Sequence, residues 1–289
     1  MTDTLVPRLP LGQWVDWLVD WVTTTFRPLF RFIKDVLGGV YDGLDAVLAS
    51  PPFWVVAIVL AVLALLAKNW KLALGSLVGF VVIAGVNQWD NAMETLALVL
   101  LSAAIALLVA IPLGIWAARN DRVSAIVRPV LDFMQTMPGF VYLIPTVVIF
   151  LTGPVPGIIA TIIFAMAPGV RFTELGIRQV DKEVVEAGHA FGATPARILG
   201  QIQLPLALPT VMAGVNQVIM LSLSMVVLAG MVGAGGLGED VVAALQRVDV
   251  ALGFEAGIAV VILAMFLDRV TAALGERAPV SRALVAARD

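Results

Sequence analysis

The chain has no cysteine among its 289 residues, and only 13% of its residues are charged. Without cysteine there is no disulfide, no thiol nucleophile and no thiolate metal site. None of the lysines follows a glycine, so the GxxxxGK phosphate-binding loop is also missing. Soluble domains carry roughly 25% charged residues, whereas 60% of this chain is hydrophobic and its mean hydropathy is +0.99. The composition predicts a membrane protein, and its small net charge of −3 gives no sign of a nucleic-acid surface.

Seven stretches of the chain are apolar enough to cross a bilayer, which takes about 20 apolar residues per helix. The uncharged run over residues 133–170 is too long for one span, and the Gly and Pro residues of segment 153–157 divide it. We therefore predict an all-α, polytopic integral membrane helix bundle with about seven transmembrane helices. The expected spans are residues 50–67, 71–88, 93–118, 130–151, 156–176, 206–232 and 256–275.

Basic residues fall mainly in alternate loops, which indicates orientation because cytoplasmic loops are enriched in Lys and Arg. If loop 186–205 is cytoplasmic, thirteen of the 18 basic residues lie inside. These are Lys68, Lys71, Arg119, Arg122, Arg128, Arg171, Arg178, Lys182, Arg197, Arg269, Arg277, Arg282 and Arg288. The five outside are Arg8, Arg27, Arg31, Lys34 and Arg247. The N-terminus is then outside and the C-terminus cytoplasmic.

Residues 11–35 form a separate element before the first span. Trp14, Trp17 and Trp21 recur at helical spacing, with Asp16 and Asp20 on another face. This pattern predicts an amphipathic helix at the membrane surface. Because its polar face is acidic, a scaffold role is favoured over membrane or osmotic sensing.

The segment between the fifth and sixth expected spans favours two short helices joined at a glycine. Asp181 is suited to cap the first helix and Gly192 to end it in the left-handed conformation. Thr194 followed by Pro195 matches the start of a second helix, over about residues 195–203. We call residues 178–205 the elbow.

One face of the first elbow helix is apolar, since Val184, Ala187, Gly188 and Phe191 recur at helical spacing. Such a face predicts a partner. The alternative is an ordinary capped connection that packs on its own helices. His189, the single histidine, has no neighbouring ligand in the sequence, so we expect neither a metal site nor catalysis by this chain.

The elbow resembles the EAA loop of ABC importer permeases. The matching residues, at matching spacing, are Glu186, Ala187, Gly192, Ile202, Leu204 and Pro205. Gly188 stands where the pattern has its second alanine. Two longer segments, residues 128–145 and 203–238, resemble the glycine betaine/proline betaine permeases, and the likeness extends over about residues 11–275.

The resemblance implies a homodimeric membrane channel in the bacterial cytoplasmic (inner) membrane. Two copies of a separate cytoplasmic ABC ATPase would bind it and use ATP and Mg, leaving this chain without a cofactor, and an extracytoplasmic binding protein would deliver substrate. The implied ATPase-coupling residues are Glu186, Ala187, Gly188, Phe191, Gly192, Ile202, Leu204 and Pro205. The implied organisation is an N-terminal tail (1–48), two accessory transmembrane helices (49–90), a five-helix permease core (91–276) containing the elbow, and a cytoplasmic tail (277–289).

Several alternatives stay open at this point. The substrate is expected to be glycine betaine or proline betaine, with choline, carnitine or another quaternary amine as the alternative. A secondary transporter or a non-transporting membrane scaffold would also be polytopic. Glu94, Asp132 and the Asp268–Arg269 pair lie in or near spans, where charges are costly; we expect interfacial structure from them rather than an ion pathway.

Overall fold

Residues 10–276 are described by the computed structural model, and within them all regular structure is helical. The expected all-α helix bundle is confirmed. The N-terminal part comprises α1 (Leu11–Thr25), α2 (Arg27–Ala49), α3 (Phe53–Ala67) and α4 (Trp70–Gly85). The remainder comprises α5 (Trp89–Arg119), α6 (Asp121–Thr136), a 3-10 turn (Gly139–Tyr142), α7 (Leu143–Phe150), α8 (Pro154–Arg178), α9 (Lys182–Ala190), α10 (Pro195–Arg197), a π turn (Ile198–Gln203), α11 (Leu204–Ala229), a 3-10 turn (Gly230–Val232), α12 (Gly236–Arg247) and α13 (Val250–Glu276).

The described part contains four helical segments that are long and apolar enough to cross a membrane, against seven expected spans. Two further spans arise if the bent pairs α2–α3 and α6–α7 each count as one. The remaining expected span, residues 71–88, corresponds to α4, an apolar helix of 16 residues. At 1.5 Å per residue α4 is about 24 Å long, slightly shorter than the hydrocarbon core of a bilayer.

The expected span over residues 130–151 is not one straight helix. Helix α6 begins earlier, at Asp121, and ends at Thr136, and the chain then bends by 107° into the 3-10 turn and α7. Met137 adopts an extended conformation with ψ 133°. The reason is Pro138, because proline disfavours the helical conformation in the residue before it. A hydropathy window does not register this effect.

The amphipathic element over residues 11–35 is also divided. Phe26 separates α1 from α2, and Pro28 follows within the first turn of α2, where proline is well tolerated. Helix α2 then continues to Ala49, well past the expected end, and turns by 99° into α3. The Trp residues of α1 lie on its exposed surface.

The long helices run between two ends of the bundle. At the elbow end, Arg178 Nη2 donates to the Ala117 carbonyl (2.8 Å), which joins the ends of α8 and α5. Lys68 pairs with Glu276 (3.3 Å) at the ends of α3 and α13. At the opposite end, which we call the α12 end, Asp240 of α12 accepts a hydrogen bond from Asn91 near the start of α5 (2.7 Å).

The core lies around α8, which packs between α5 and α11. Its Gly169 is so close to both neighbours that an added Cβ would lie 2.8 Å from the Ala110 Cβ and 3.1 Å from a Val218 methyl group. The α3–α4 hairpin attaches to this core through aromatic contacts. Fully buried Phe80 of α4 contacts Phe266 of α13, with ring centroids 5.1 Å apart.

Candidate functional site

The first elbow helix, α9, begins and ends through hydrogen bonds made within the elbow itself. Asp181 Oδ1 accepts from the Glu183 amide (2.9 Å), as expected for its N-cap. At the other end the Gly192 amide donates to the His189 carbonyl (2.9 Å) and the Ala193 amide to the Gly188 carbonyl (3.1 Å). These two bonds form a Schellman motif, which requires a left-handed residue. Gly192 supplies it, with φ +76°.

The second half of the elbow starts as expected and then changes helix type. Thr194 Oγ1 accepts from the Arg197 amide (3.4 Å), and Pro195 occupies the first turn. After one turn of α-helix the chain forms the π turn Ile198–Gln203, a wider helical turn that is often found at functional sites. It leads directly into α11, whose first turn contains Pro205. The second half of the elbow is thus continuous with the membrane helix α11.

Gly188 lies at the contact between the two halves. A Cβ built on it would lie 2.7 Å from Ile202 Cδ1 and 3.5 Å from Ile198 Cγ1. Gly188 therefore faces the second half of the elbow, whereas we expected it on the partner-binding face. Alanine at this position, as in the EAA pattern, would require the Ile202 δ-methyl group to move aside.

The outer surface of the elbow is apolar and uncovered. Val184 is 42% exposed and Phe191 92% exposed, and both Ala187 and Glu186 are exposed. Large apolar side chains are seldom left this open without a partner. Ile202, Leu204 and Pro205 are half-buried and attach the elbow to the bundle. The structure thus brings the expected residues together in two layers, one outward and one inward.

A buried carboxylate joins the elbow-bearing helix to α6. Glu174 of α8 is 3% exposed and accepts hydrogen bonds from Ser124 Oγ (2.7 Å) and Arg128 Nη2 (2.8 Å), both in α6. Arg178, one turn later in α8, pairs with Glu174 (2.9 Å) and with Asp121 at the start of α6 (2.8 Å). We call these five residues the α6–α8 clasp.

The clasp adds polar contacts to α6, a helix that is only partly buried. Only Ser124 and Leu131 of α6 are buried, and its apolar residues Ile126, Val130 and Phe133 are more than half exposed. Helix α8 ends at Arg178 and the elbow helix α9 starts at Lys182. The clasp, the Asp132–Arg171 pair and the packing of Leu131 against α5 and α8 together connect α6 to the helix that leads into the elbow.

Comparison with known proteins places this architecture in a family. Residues 110–278 match the family of binding-protein-dependent transport system inner membrane components. The chain belongs to this family. It is a multi-pass inner-membrane permease, and membership implies that it works with a binding protein and an ATPase. The expected relationship to importer permeases is confirmed.

Two curated relatives match the permease over nearly its whole length. The glycine betaine/carnitine transport permease protein GbuB of Listeria monocytogenes is 48% identical over 94% of this chain and 98% of its own length. The glycine betaine transport system permease protein OpuAB of Bacillus subtilis is 47% identical over 92% and 94%. The fold is similar to that of the inward-facing MetNI methionine ABC transporter, with a TM-score of 0.57 and 23% identity over 62% of this chain and 92% of that one.

The charged residues in the permease's spans have polar partners. Glu94 accepts from the Gly236 amide (2.7 Å) at the start of α12, where a carboxylate also complements the helix dipole. Asp132 pairs with Arg171, and Asp268 accepts from Asn216 Nδ2 (2.9 Å). These contacts favour the structural role that we expected over an ion pathway.

Glu174 was missing from the residues expected to matter. It lies in the expected span 156–176, and its partners Ser124 and Arg128 are about 50 residues away in the sequence. One local signal was available, since Arg178 follows Glu174 by four residues, the spacing of a helical ion pair. A glutamate inside an expected membrane span also marks a functional candidate.

Proposed function

We propose that this permease is the membrane subunit of an ATP-driven importer that carries glycine betaine or proline betaine into the cell by alternating access. The observation that supports the substrate best is the 48% identity to a glycine betaine/carnitine permease over 98% of that protein's length. The binding protein selects the solute. Choline, carnitine or another quaternary amine is the alternative substrate.

The elbow is the surface that the ATPase holds. Phe191 and Ala187 enter a groove on the ATPase, and Glu186 offers a charge to its surface. The 92% exposure of Phe191 supports this assignment, because an apolar side chain placed at the tip of a rigid loop gains most from burial against a partner. Gly192 sets the angle between the two halves of the elbow.

Closure of the ATPase dimer moves the elbow as a rigid body. The end of α8 moves with it, and through Glu174 it pulls Ser124 and Arg128, so that α6 follows. This transfer switches the bundle between inward-facing and outward-facing states. The support for it is the clasp geometry, in which one buried carboxylate of α8 binds two side chains of α6.

Two copies of the permease enclose the pathway, and each binds one ATPase, which uses ATP and Mg; this chain binds no cofactor of its own. An exposed polar side chain near the middle of α11 supports a second copy, because Gln217 is costly to leave against lipid. The elbow end faces the cytoplasm. Ten of the basic residues in the described part belong to loops and helix ends on that side, which supports this orientation.

Uptake of labelled glycine betaine at high osmolarity tests the proposal. Cells lacking their own betaine carriers would express the permease with its candidate ATPase and binding protein. We expect uptake with the wild type and less with Gly192→Asp, which adds a side chain and a negative charge at the left-handed turn of the elbow, φ +76°. Gly188→Ala is the matched control, since the flexible end of Ile202 can move aside.

Each outcome bears on a different part of the proposal. Carriage of choline or carnitine without betaine would correct the substrate and keep the importer. Normal uptake by a correctly inserted Gly192→Asp variant would contradict the coupling role of the elbow. Absence of transport for every quaternary amine, despite a stable complex with the ATPase, would favour a membrane scaffold.

A further inference from the structure

A stripe of basic residues lies along one side of α2. Arg27, Arg31 and Lys34 recur at i, i+4 and i+7 and so share one face of the helix. Together with Asp20 of α1, they line a cavity of about 430 Å³ between the N-terminal helices and the end of α7. Phe30 and Phe150, whose rings meet edge to face with centroids 5.6 Å apart, line the same cavity.

The opposite side of α2 is apolar and exposed. Leu29 is 51% exposed, Phe32 65%, Val36 44% and Val40 46%. These positions lie about half a helical turn away from the basic stripe. A helix with Lys and Arg on one side and Phe, Leu and Val on the other is typical of helices that lie in the membrane interface.

The direction of α2 agrees with this placement. It makes an angle of 99° with α3, the apolar helix that follows it. If α3 crosses the bilayer, α2 lies in the membrane plane. It crosses the α12 end of the bundle, where Gly38 lies beside Val155 at the start of α8, at a distance of 3.8 Å from the Val155 methyl group to a Cβ built on Gly38.

The three cations outnumber the two carboxylates, Asp20 and Asp35, that line the same surface. None of the three cations forms an ion pair within the described residues, and neither Asp20 nor Asp35, the nearby carboxylates of α1 and α2, comes within salt-bridge distance of them. In the proposed orientation they also lie on the extracytoplasmic side, where basic residues are otherwise few. Unpaired cations in a cavity next to lipid-facing surface call for an external anion.

We propose that Arg27, Arg31 and Lys34 bind the headgroup of an anionic phospholipid in the leaflet at the α12 end. Guanidinium groups match a phosphodiester through bidentate hydrogen bonds, and lysine adds a point charge. The cavity admits the headgroup, while the acyl chains run along the apolar side chains of α1 and α2. The site rests on the proposed orientation only for the identity of the leaflet.

The quenching of a fluorophore attached to the cavity wall tests the proposal directly. The chain has no cysteine, so Thr24→Cys, at an exposed position lining the cavity, takes a single fluorophore. The complex with its ATPase is reconstituted into phosphatidylcholine nanodiscs with a small fraction of brominated phosphatidylglycerol or, separately, brominated phosphatidylcholine. We expect stronger quenching by the brominated anionic lipid at equal mole fraction.

Two variants decide whether the basic stripe causes the preference. In Arg27→Gln/Arg31→Gln/Lys34→Gln the preference for phosphatidylglycerol should fall by on the order of a hundredfold. Each basic residue contributes about fivefold to lipid affinity, and the three factors multiply. The control Arg119→Gln/Arg122→Gln/Lys182→Gln removes equal charge at exposed positions of the elbow end and should retain it. Arg27→Lys/Arg31→Lys preserves the charge and should also retain most of it.

Equal quenching by the two brominated lipids, in the labelled protein that retains all three basic residues, would overturn the proposal. A preference that survives in the triple glutamine variant would also overturn it. If millimolar inorganic phosphate at constant ionic strength abolishes the preference, the site belongs to a free anion and the lipid proposal is wrong. Lipid binding is measured here without transport. A negative result therefore leaves the importer assignment standing, and failed betaine uptake leaves the lipid site standing.

Discussion

Replacing Glu174 by glutamine should uncouple ATP hydrolysis from transport. The substitution keeps the size and shape of the side chain and removes its charge. Glutamine retains one acceptor oxygen, which serves Ser124 or one arginine but not all the donors that now converge on the carboxylate. The α6–α8 clasp is thereby weakened, while the first elbow helix α9, which starts two helical turns later at Lys182, is unchanged.

The size of the effect follows from the contacts. Hydrogen bonds to charged groups contribute about 1.5–3 kcal/mol each, and Glu174 accepts from Ser124, Arg128 and Arg178 at 2.7–2.9 Å. Arg128 is 57% exposed and Arg178 32% exposed, so water replaces part of what is lost. A net weakening of about 2 kcal/mol between α6 and α8 is expected, or roughly 30-fold in the equilibrium between attached and detached α6.

The assay compares two rates in the same proteoliposomes. The complete complex is reconstituted with the binding protein, and betaine uptake and ATP hydrolysis are measured together. In Glu174→Gln the ATPase remains bound to the elbow, so hydrolysis should continue. Uptake per ATP should fall several-fold, because the elbow's movement no longer carries α6 with it.

Asp132→Asn is the matched control. It also removes one carboxylate from an α6–α8 ion pair, with Arg171, but these side chains are 65% and 39% exposed, and exposed pairs contribute about 0–1 kcal/mol. Its uptake per ATP should stay near the wild-type value. An unchanged ratio in a stably assembled Glu174→Gln complex would refute the clasp as the link, and an equal fall in both variants would point to surface charge instead.

Three further outcomes are expected. Phe191→Ala should leave thermal stability of the permease unchanged, since the ring is 92% exposed, and weaken ATPase binding by about 2 kcal/mol or roughly 30-fold in a pull-down titration; undiminished binding would exclude Phe191 from the interface. Gly192→Ala has space for its methyl group but is strained at φ +76°, so it should cost about 1 kcal/mol and reduce uptake, whereas Gly188→Ala should leave uptake nearly normal; equal uptake by both would contradict the left-handed turn. Gly230→Ala would put a Cβ 2.2 Å from the Gly238 carbonyl carbon and should abolish accumulation in the membrane, as judged by immunoblot; normal accumulation would show that α11 and α12 do not approach this closely.

The elbow could be predicted from sequence because its determinants are local. Asp181, Gly192 and the Thr194–Pro195 pair act on amides within five residues of themselves, and these cap preferences are strong. Their positions agree with the structure to within a residue or two. The orientation of Gly188 toward the second half of the elbow could not be predicted, because it depends on how Ile202 packs.

Elements defined by distant contacts were harder to predict. The partners of Glu174 belong to another helix, and no periodic pattern in either segment signals their meeting. Residues 130–151 were expected as one span because hydropathy averages over Pro138. Residues 11–35 were expected as one helix because of the spacing of the Trp residues in their first half. Their conformation depends instead on a backbone restriction at one position and on how α2 packs across the bundle.

The break between α6 and α7 has a consequence for where water reaches. A helix end leaves its last carbonyls without intrahelical donors, and hydrocarbon provides none. Thr136 Oγ1 donates to the Phe133 carbonyl (2.8 Å) and the Tyr142 hydroxyl to that of Met134, which meets part of this need. Gln135, exposed beside the break, consequently borders a hydrated wall or a neighbouring subunit and not lipid tails. In a chain free of native thiols, Gln135→Cys would report that boundary by its reaction with a water-soluble maleimide.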